Sequence, residues 1–163
     1  MTLYGELIRL TEKLNERKLP YAVIGGLAVA YHATARATDD LDFLFLARDV
    51  REVREVMHEL GYLFESVPWT FQNTKLTVHR FSRFEGEEHM IVDVMISDED
   101  GDANIVNRAV VAQTAAGPIR FAAKEDLIWL KKFRNSMQDQ ADIEAIEKNA
   151  KRGPTHAKSE RPA

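Results

Sequence analysis

The chain has no cysteine among its 163 residues, which excludes disulfide frameworks and thiolate metal sites. No apolar run approaches the length of a membrane span. Residues 1–18 are charged and amphipathic, without the apolar core and small-residue cleavage site of a signal peptide. These absences lead to the expectation of a cytoplasmic protein with no membrane partner. A surplus of positive charge is missing too. The formal net charge is −4, so nothing global favours a nucleic-acid backbone, although a local basic surface is compatible with it. There is no internal repeat. Hydrophobic residues make up 45% of the chain and charged residues 29%, as expected of one globular domain with a single core.

Leu3, Leu7, Leu10 and Leu14 recur at helical spacing, and Pro20 closes that segment. Tyr21 to Ile24 reads as a short buried strand, Gly25-Gly26 as a tight turn, and Leu27 to His32 as a helix of small residues. Asp40 to Phe45 alternates as a strand, with Asp40 and Asp42 on one face and Leu41, Phe43 and Phe45 on the other. Asp39 is expected to point away from the pair. A helix follows over residues 47–60, ended by Gly61. Residues 62–64, 75–81, 89–96, 109–113 and 119–121 suggest strands, with residues 65–73 unassigned and a turn at 115–118. Two helices close the pattern, over residues 124–134 and 139–148. One domain over 1–148 and a disordered basic tail over 149–163 are expected.

Strand, glycine turn, helix and a strand bearing two acids together suit a triphosphate and its metal ions. Backbone N–H groups at Gly25 and Gly26, at the positive end of a helix, are placed for phosphate. Asp40 and Asp42 project the same way and can share hard cations. Asp93 stands alone in an apolar run, Met90 to Ile96. A lone acid there needs a metal, a cation or strong hydrogen bonds, with Arg80 as the structural alternative. Oxygen-only donors favour Mg2+, with Mn2+ as a substitute, over zinc. Arg36, Thr38 and Lys131 are further phosphate candidates, though a salt bridge, a strand-entry hydrogen bond and a solvated helix face explain them equally well. His32, His79 and His89 lack zinc spacing and read as structural. Trp69 and Phe71 read as packing, with stacking on a base or acceptor as the alternative.

The run IGGLAVAYH followed by RATDDLD, then the lone Asp93, resembles the nucleotidyltransferase fold of the DNA polymerase β superfamily. It is most similar to a small bacterial branch of AbiEii-type toxins and lincosamide nucleotidyltransferase-like proteins. The C-terminal KEDLIWLKKFRNSMQDQADIEAI adds to the likeness through Lys131, Asp139, Asp142 and Ile143. The chain departs from it at Ser136, where many relatives carry arginine, with Arg134 two residues earlier. The resemblance implies an α+β fold, a small mixed β-sheet flanked by helices with further helices at the C-terminus. It also implies metal-dependent transfer of a nucleoside monophosphate from a triphosphate to an acceptor hydroxyl, with Asp40, Asp42 and Asp93 holding the metal. The acceptor stays open between a small molecule, a transfer RNA and a protein. A homodimer or a toxin–antitoxin partner is compatible with it. Two other classes fit the residues: a non-catalytic nucleotide-binding module of the same fold, and an interaction protein whose acids are merely solvated.

Overall fold

Leu7, Leu10 and Leu14 are buried along one side of helix α1 (Leu3–Glu16), as their spacing predicts, and Thr2 caps the helix by accepting the Gly5 N–H at 3.0 Å. The structure, a computed structural model, describes residues 1–72, 74–97 and 100–152. Strand β1 (Tyr21–Ile24) runs directly into helix α2 (Gly25–His32). Strand β2 (Asp40–Leu46) and helix α3 (Val50–Glu59) follow. Two short strands come next, β3 (Phe64–Glu65) and β4 (Trp69–Thr70). A long hairpin, β5 (Leu76–Glu85) and β6 (Glu88–Ser97), leads to helix α4 (Asp100–Asn107). Strands β7 (Val110–Thr114) and β8 (Gly117–Phe121) and helices α5 (Lys124–Arg134) and α6 (Met137–Arg152) complete the described chain.

All the strands join one mixed sheet in the order β3-β5-β6-β2-β1-β8-β7, with β4 added beside β5. Strand β2 pairs β1 antiparallel and β6 parallel, and β1 pairs β8 parallel. The architecture is α+β with helices on the sheet, in agreement with the sequence reading. Strand alternation decides which side chains go where. Leu41, Phe43 and Phe45 face the core with Val92 and Val94 of β6 and with Phe81 of β5. Tyr21 meets Phe43 edge-on at 5.8 Å between ring centres. The opposite side of β2, β5 and β6 carries Asp40, Asp42, Arg80 and Asp93, and α5 and α6 approach from there.

Several boundaries differ from the sequence reading. Residues 62 and 63 are not in a strand, because Gly61 and the turn after α3 carry the chain past Tyr62, whose side chain is buried. The hairpin strands extend to Glu85 and Glu88, joined by a two-residue turn with Gly86 first, at φ +62°. Helix α4 was not anticipated, since Asp-Gly-Asp at residues 100–102 reads as a turn, yet Ile105 and Val106 bury against the sheet and favour a helix. Helix α6 continues through Arg152, so residues 149–152 are not a disordered tail. Asn149 Nδ2 donates to the His32 carbonyl at 2.6 Å and ties that turn to α2. The rest of the expected tail, 153–163, lies outside the described residues. No described helix is long and apolar enough to cross a membrane.

A buried carboxylate fastens α1 to the hairpin. Glu6 is 4% exposed and accepts hydrogen bonds from Tyr62 Oη at 2.6 Å, Arg9 Nη1 at 2.9 Å and Arg83 Nη1 at 2.9 Å. Burial opposes its charge, but these three donors outweigh that cost and hold its carboxyl below the usual range. Truncation would leave Arg83 Nη1 and the Tyr62 hydroxyl without this acceptor, although Arg83 Nη2 keeps Glu85 at 2.8 Å. Glu6→Ala is expected to lower stability by about 3 kcal/mol in urea unfolding, and an unchanged midpoint would refute the clasp.

Candidate active site

The glycine pair does two separate jobs. Gly25 has φ +68°, a conformation L side chains rarely adopt, and a Cβ there would lie 2.1 Å from Asp42 Oδ2. Only a residue without a side chain lets the start of α2 close onto the Asp42 carboxylate. Gly26 is closed on the other side, where a Cβ would lie 2.6 Å from Thr38 Oγ1 and 3.3 Å from Arg36 Nη2. Ile24 caps α2 without a side-chain hydrogen bond, so the first N–H groups of the helix are not satisfied by a cap. The helix start, Arg36, Thr38 and Asp42 thus converge on one spot.

Parallel pairing of β2 with β6 sets Asp42 beside Asp93 and Asp40 beside Ile91. Three carboxylates therefore share one face of two neighbouring strands. Their proximity shows in their proton affinities. Burial, then repulsion from Asp93 and Asp40, pushes Asp42 up to about 7, against the pull of Arg134 and Lys131. Burial and Asp93 also raise Asp40.

Antiparallel pairing of β5 with β6 places Arg80 opposite Asp93. The guanidinium clasps that carboxylate with both ends, Nε to Oδ1 at 2.7 Å and Nη2 to Oδ2 at 2.8 Å, and its Nη2 lies 4.0 Å from Asp40. The Trp69 ring covers the same guanidinium at 5.5 Å. Asp93 thus has the partner that the structural alternative for it named. Trp69 takes its place as cover for Arg80.

Lys131 and Arg134 of α5, with Arg36 from the loop before β2, face the acids, each held by a carboxylate of α6. Lys131, 6% exposed, lies 2.8 Å from Asp142 and 3.5 Å from Asp139. Arg36 reaches Asp142 at 2.9 Å, and Arg134 forks onto Asp139 at 2.7 and 2.8 Å. Burial opposes the Asp139 charge, yet the hydrogen bonds from Arg134 and Ser136 hold its carboxyl well below the usual range. Ser136, the departure from the resembled pattern, starts α6. Its Oγ accepts the Asp139 N–H at 3.1 Å, and Asp139 accepts the Ser136 N–H at 3.1 Å, a reciprocal cap. Asn135, at φ 48°, ends α5 and turns the chain into that cap.

The residues proposed from sequence for metal and phosphate line one cavity of about 410 Å³: Gly25, Gly26, Arg36, Thr38, Asp40, Asp42, Asp93 and Lys131. Asp39 also borders it, because β2 begins only at Asp40 and strand alternation does not govern its neighbour. Leu76, Met95, Leu127, Leu130 and Phe71 add apolar lining. Arg80, Arg134, Gln138 and Asp139 line it as well. The count back from the Gly86 turn would have set Arg80 opposite Asp93 in the sequence, but the approach of Leu127, Leu130 and Arg134 depends on how α5 packs. The histidines go elsewhere: His32 to the Ala122 carbonyl at 2.7 Å, His79 to Glu65, and His89 against Phe84.

The donor set fits a hard cation in chemistry and charge, since three carboxylates with oxygen ligands only stand together and repel one another. As they stand, no three metal-binding side chains among the described residues form a ready ligand set.

Comparison with known proteins bears on family and fold. A family described as an uncharacterised nucleotidyltransferase matches residues 1–117. Among solved structures, that of ANT(2'')-Ia in complex with adenylyl-2''-tobramycin is similar at TM-score 0.54 and 18% identity, over 93% of this chain and 90% of that one. A solution structure of the antibiotic-resistance factor ANT(2'')-Ia also gives TM-score 0.54 and 18% identity, over 90% of this chain and 82% of that one. These likenesses bear on fold. No curated protein matches.

The raised Asp42 carboxyl carries a sign that can be checked in divalent-free buffer. Folding raises its proton affinity, so its favourable contribution is complete below the unfolded carboxyl value and is lost as pH rises through about 7. Asp42→Asn has no charge to bury at any pH. The variant should match the parent near pH 4, gain progressively up to pH 7, and be about 2 kcal/mol more stable near pH 8, a figure discounted for remaining solvent contact. Equal urea midpoints near pH 8 would show that the acids do not repel as described.

Proposed function

This chain belongs to the uncharacterised nucleotidyltransferase family, and from that premise we propose that it moves a nucleoside monophosphate from a triphosphate to an acceptor hydroxyl, releasing pyrophosphate. The observation that carries the reading is the union of the Gly25-Gly26 helix start with Asp40, Asp42 and Asp93 in one cavity. The N–H groups at the start of α2 bind the outer phosphates, helped by the helix dipole. Arg36 and Lys131, held in place by Asp142, present positive charge on the same side. Leu76, Met95, Leu127, Leu130 and Phe71 offer a dry surface for the base.

Asp40, Asp42 and Asp93 would hold divalent magnesium, which supplies charge neutralisation at the triphosphate and acidifies the acceptor hydroxyl. The acceptor oxygen attacks the α-phosphorus, and a new P–O bond forms there. The bond from the α-phosphorus to the bridging oxygen breaks, and its electron pair leaves with pyrophosphate. The hydroxyl proton passes to a carboxylate oxygen of Asp93.

A second reading has one observation in its favour. Because Arg80 already clasps Asp93, a nucleotide could bind without reaction, as in a non-catalytic module of the same fold. One assay separates the two. Each triphosphate, labelled on the α-phosphate, is incubated with Mg2+ and cell extract, and both the labelled product and released pyrophosphate are measured. Transfer is expected, and Asp42→Asn and Asp93→Asn should each lower it at least about a hundredfold while the circular dichroism spectrum is unchanged. Triphosphate binding without transfer across the extract would favour the module. Full activity in both variants would reject the mechanism.

A further inference from the structure

The acids and their nearest cation are arranged in a way that the transfer reaction does not explain. Asp93 is 15% exposed in its side chain, and both of its oxygens are taken by Arg80. A metal ion approaching those oxygens would meet a guanidinium charge at the same point. The other cavity cations are committed to α6: Arg36 and Lys131 to Asp142, and Arg134 to Asp139. Arg80 instead reaches the candidate ligands themselves, with Asp93 in a two-pronged pair and Asp40 at 4.0 Å.

Its surroundings allow it to leave. The Arg80 side chain is 39% exposed, so it has an open path out of the pair. Its backbone stays fixed in the hairpin register opposite Asp93, so the guanidinium remains near the cleft after release. Trp69, on the short strand β4, lies under the guanidinium at 5.5 Å, a contact that depends on no carboxylate.

We propose that Arg80 is a resident counter-cation that occupies Asp93 until a metal–triphosphate complex displaces it, making divalent-metal binding at the acids depend on the nucleotide. The proposal rests on reading Asp40, Asp42 and Asp93 as metal ligands. Charge balance gives the reason. Three carboxylates against one guanidinium leave the cluster negative, so it attracts a divalent ion, but a bare ion must break the Arg80 clasp alone. An ion arriving with a triphosphate brings phosphate oxygens that can receive the released guanidinium. Arg80 therefore acts as a positioning residue that links the two ligands, and the coupling is reciprocal.

Mn2+ binding, read as loss of the free-ion electron paramagnetic resonance signal, tests this without turnover. The protein, Arg80→Met, Arg80→Lys and the double variant Arg80→Met with Asp93→Asn are titrated with Mn2+ alone, then with each α,β-methylene triphosphate present. Without nucleotide, Arg80→Met should bind Mn2+ about tenfold more tightly than the parent, with Arg80→Lys between them. With the matching analogue the parent and Arg80→Met should converge, and Asp93→Asn should erase the gain. Thermal melting of each variant confirms folding. Equal Mn2+ affinity for the parent and Arg80→Met without nucleotide would overturn the counter-cation role and leave the metal reading standing. No Mn2+ binding by any variant, with or without an analogue, would overturn both.

Discussion

Parallel pairing of β2 with β6 forces Asp42 and Asp93 side by side, and much of the surrounding charge answers that proximity. The register admits little adjustment. Shifting either strand by one residue would turn Phe43, Phe45, Val92 and Val94 out of the core and the acids into it. Core burial therefore fixes the spacing of the carboxylates, although the carboxylates contribute nothing favourable to that core. Two devices accommodate the repulsion. Asp42 has its proton affinity raised toward neutrality, and Arg80 neutralises Asp93 from the next strand.

The cavity's other wall is organised from a distance. Asp139 and Asp142 lie on α6, are nearly inaccessible to solvent, and each gathers more than one cation. Buried ion pairs of this kind are weak evidence of stability, because desolvation cancels much of their attraction. Their value here is positional. Lys131 and Arg36 are aimed at the helix start because Asp142 sits between them, and Ser136 settles α6 so that Asp139 reaches Arg134. Gly25 completes the enclosure by allowing backbone to touch Asp42 where any side chain would collide.

Much of the site was legible from local pattern. A glycine pair after a buried strand, two acids in alternation and a lone acid in an apolar run are short-range signals, and each survives in the fold. Helix α4 was not legible, because Asp-Gly-Asp carries a turn signal that packing of Ile105 and Val106 overrides. Residues 149–152 looked like tail by composition, yet Asn149 reaches the His32 carbonyl, a contact across 117 positions that no local pattern encodes. Asp93 stands out in the sequence as an acid needing a partner. Which partner it has depends on the pairing of β5 with β6.

Residue identity and spacing alone determined the chemistry on offer: oxygen ligands without thiolates, a backbone turn open to phosphate, and acids on one strand face. Alternation along a strand is a local property, so it can be counted in a sequence. The tertiary structure alone decided how those groups meet. It closed Gly25 onto Asp42, brought the cations of α5 over the acids with the carboxylates of α6 holding them, and gave Asp93 to Arg80. Those outcomes follow from strand order and helix packing, where one buried apolar face sets the position of every polar group on the other.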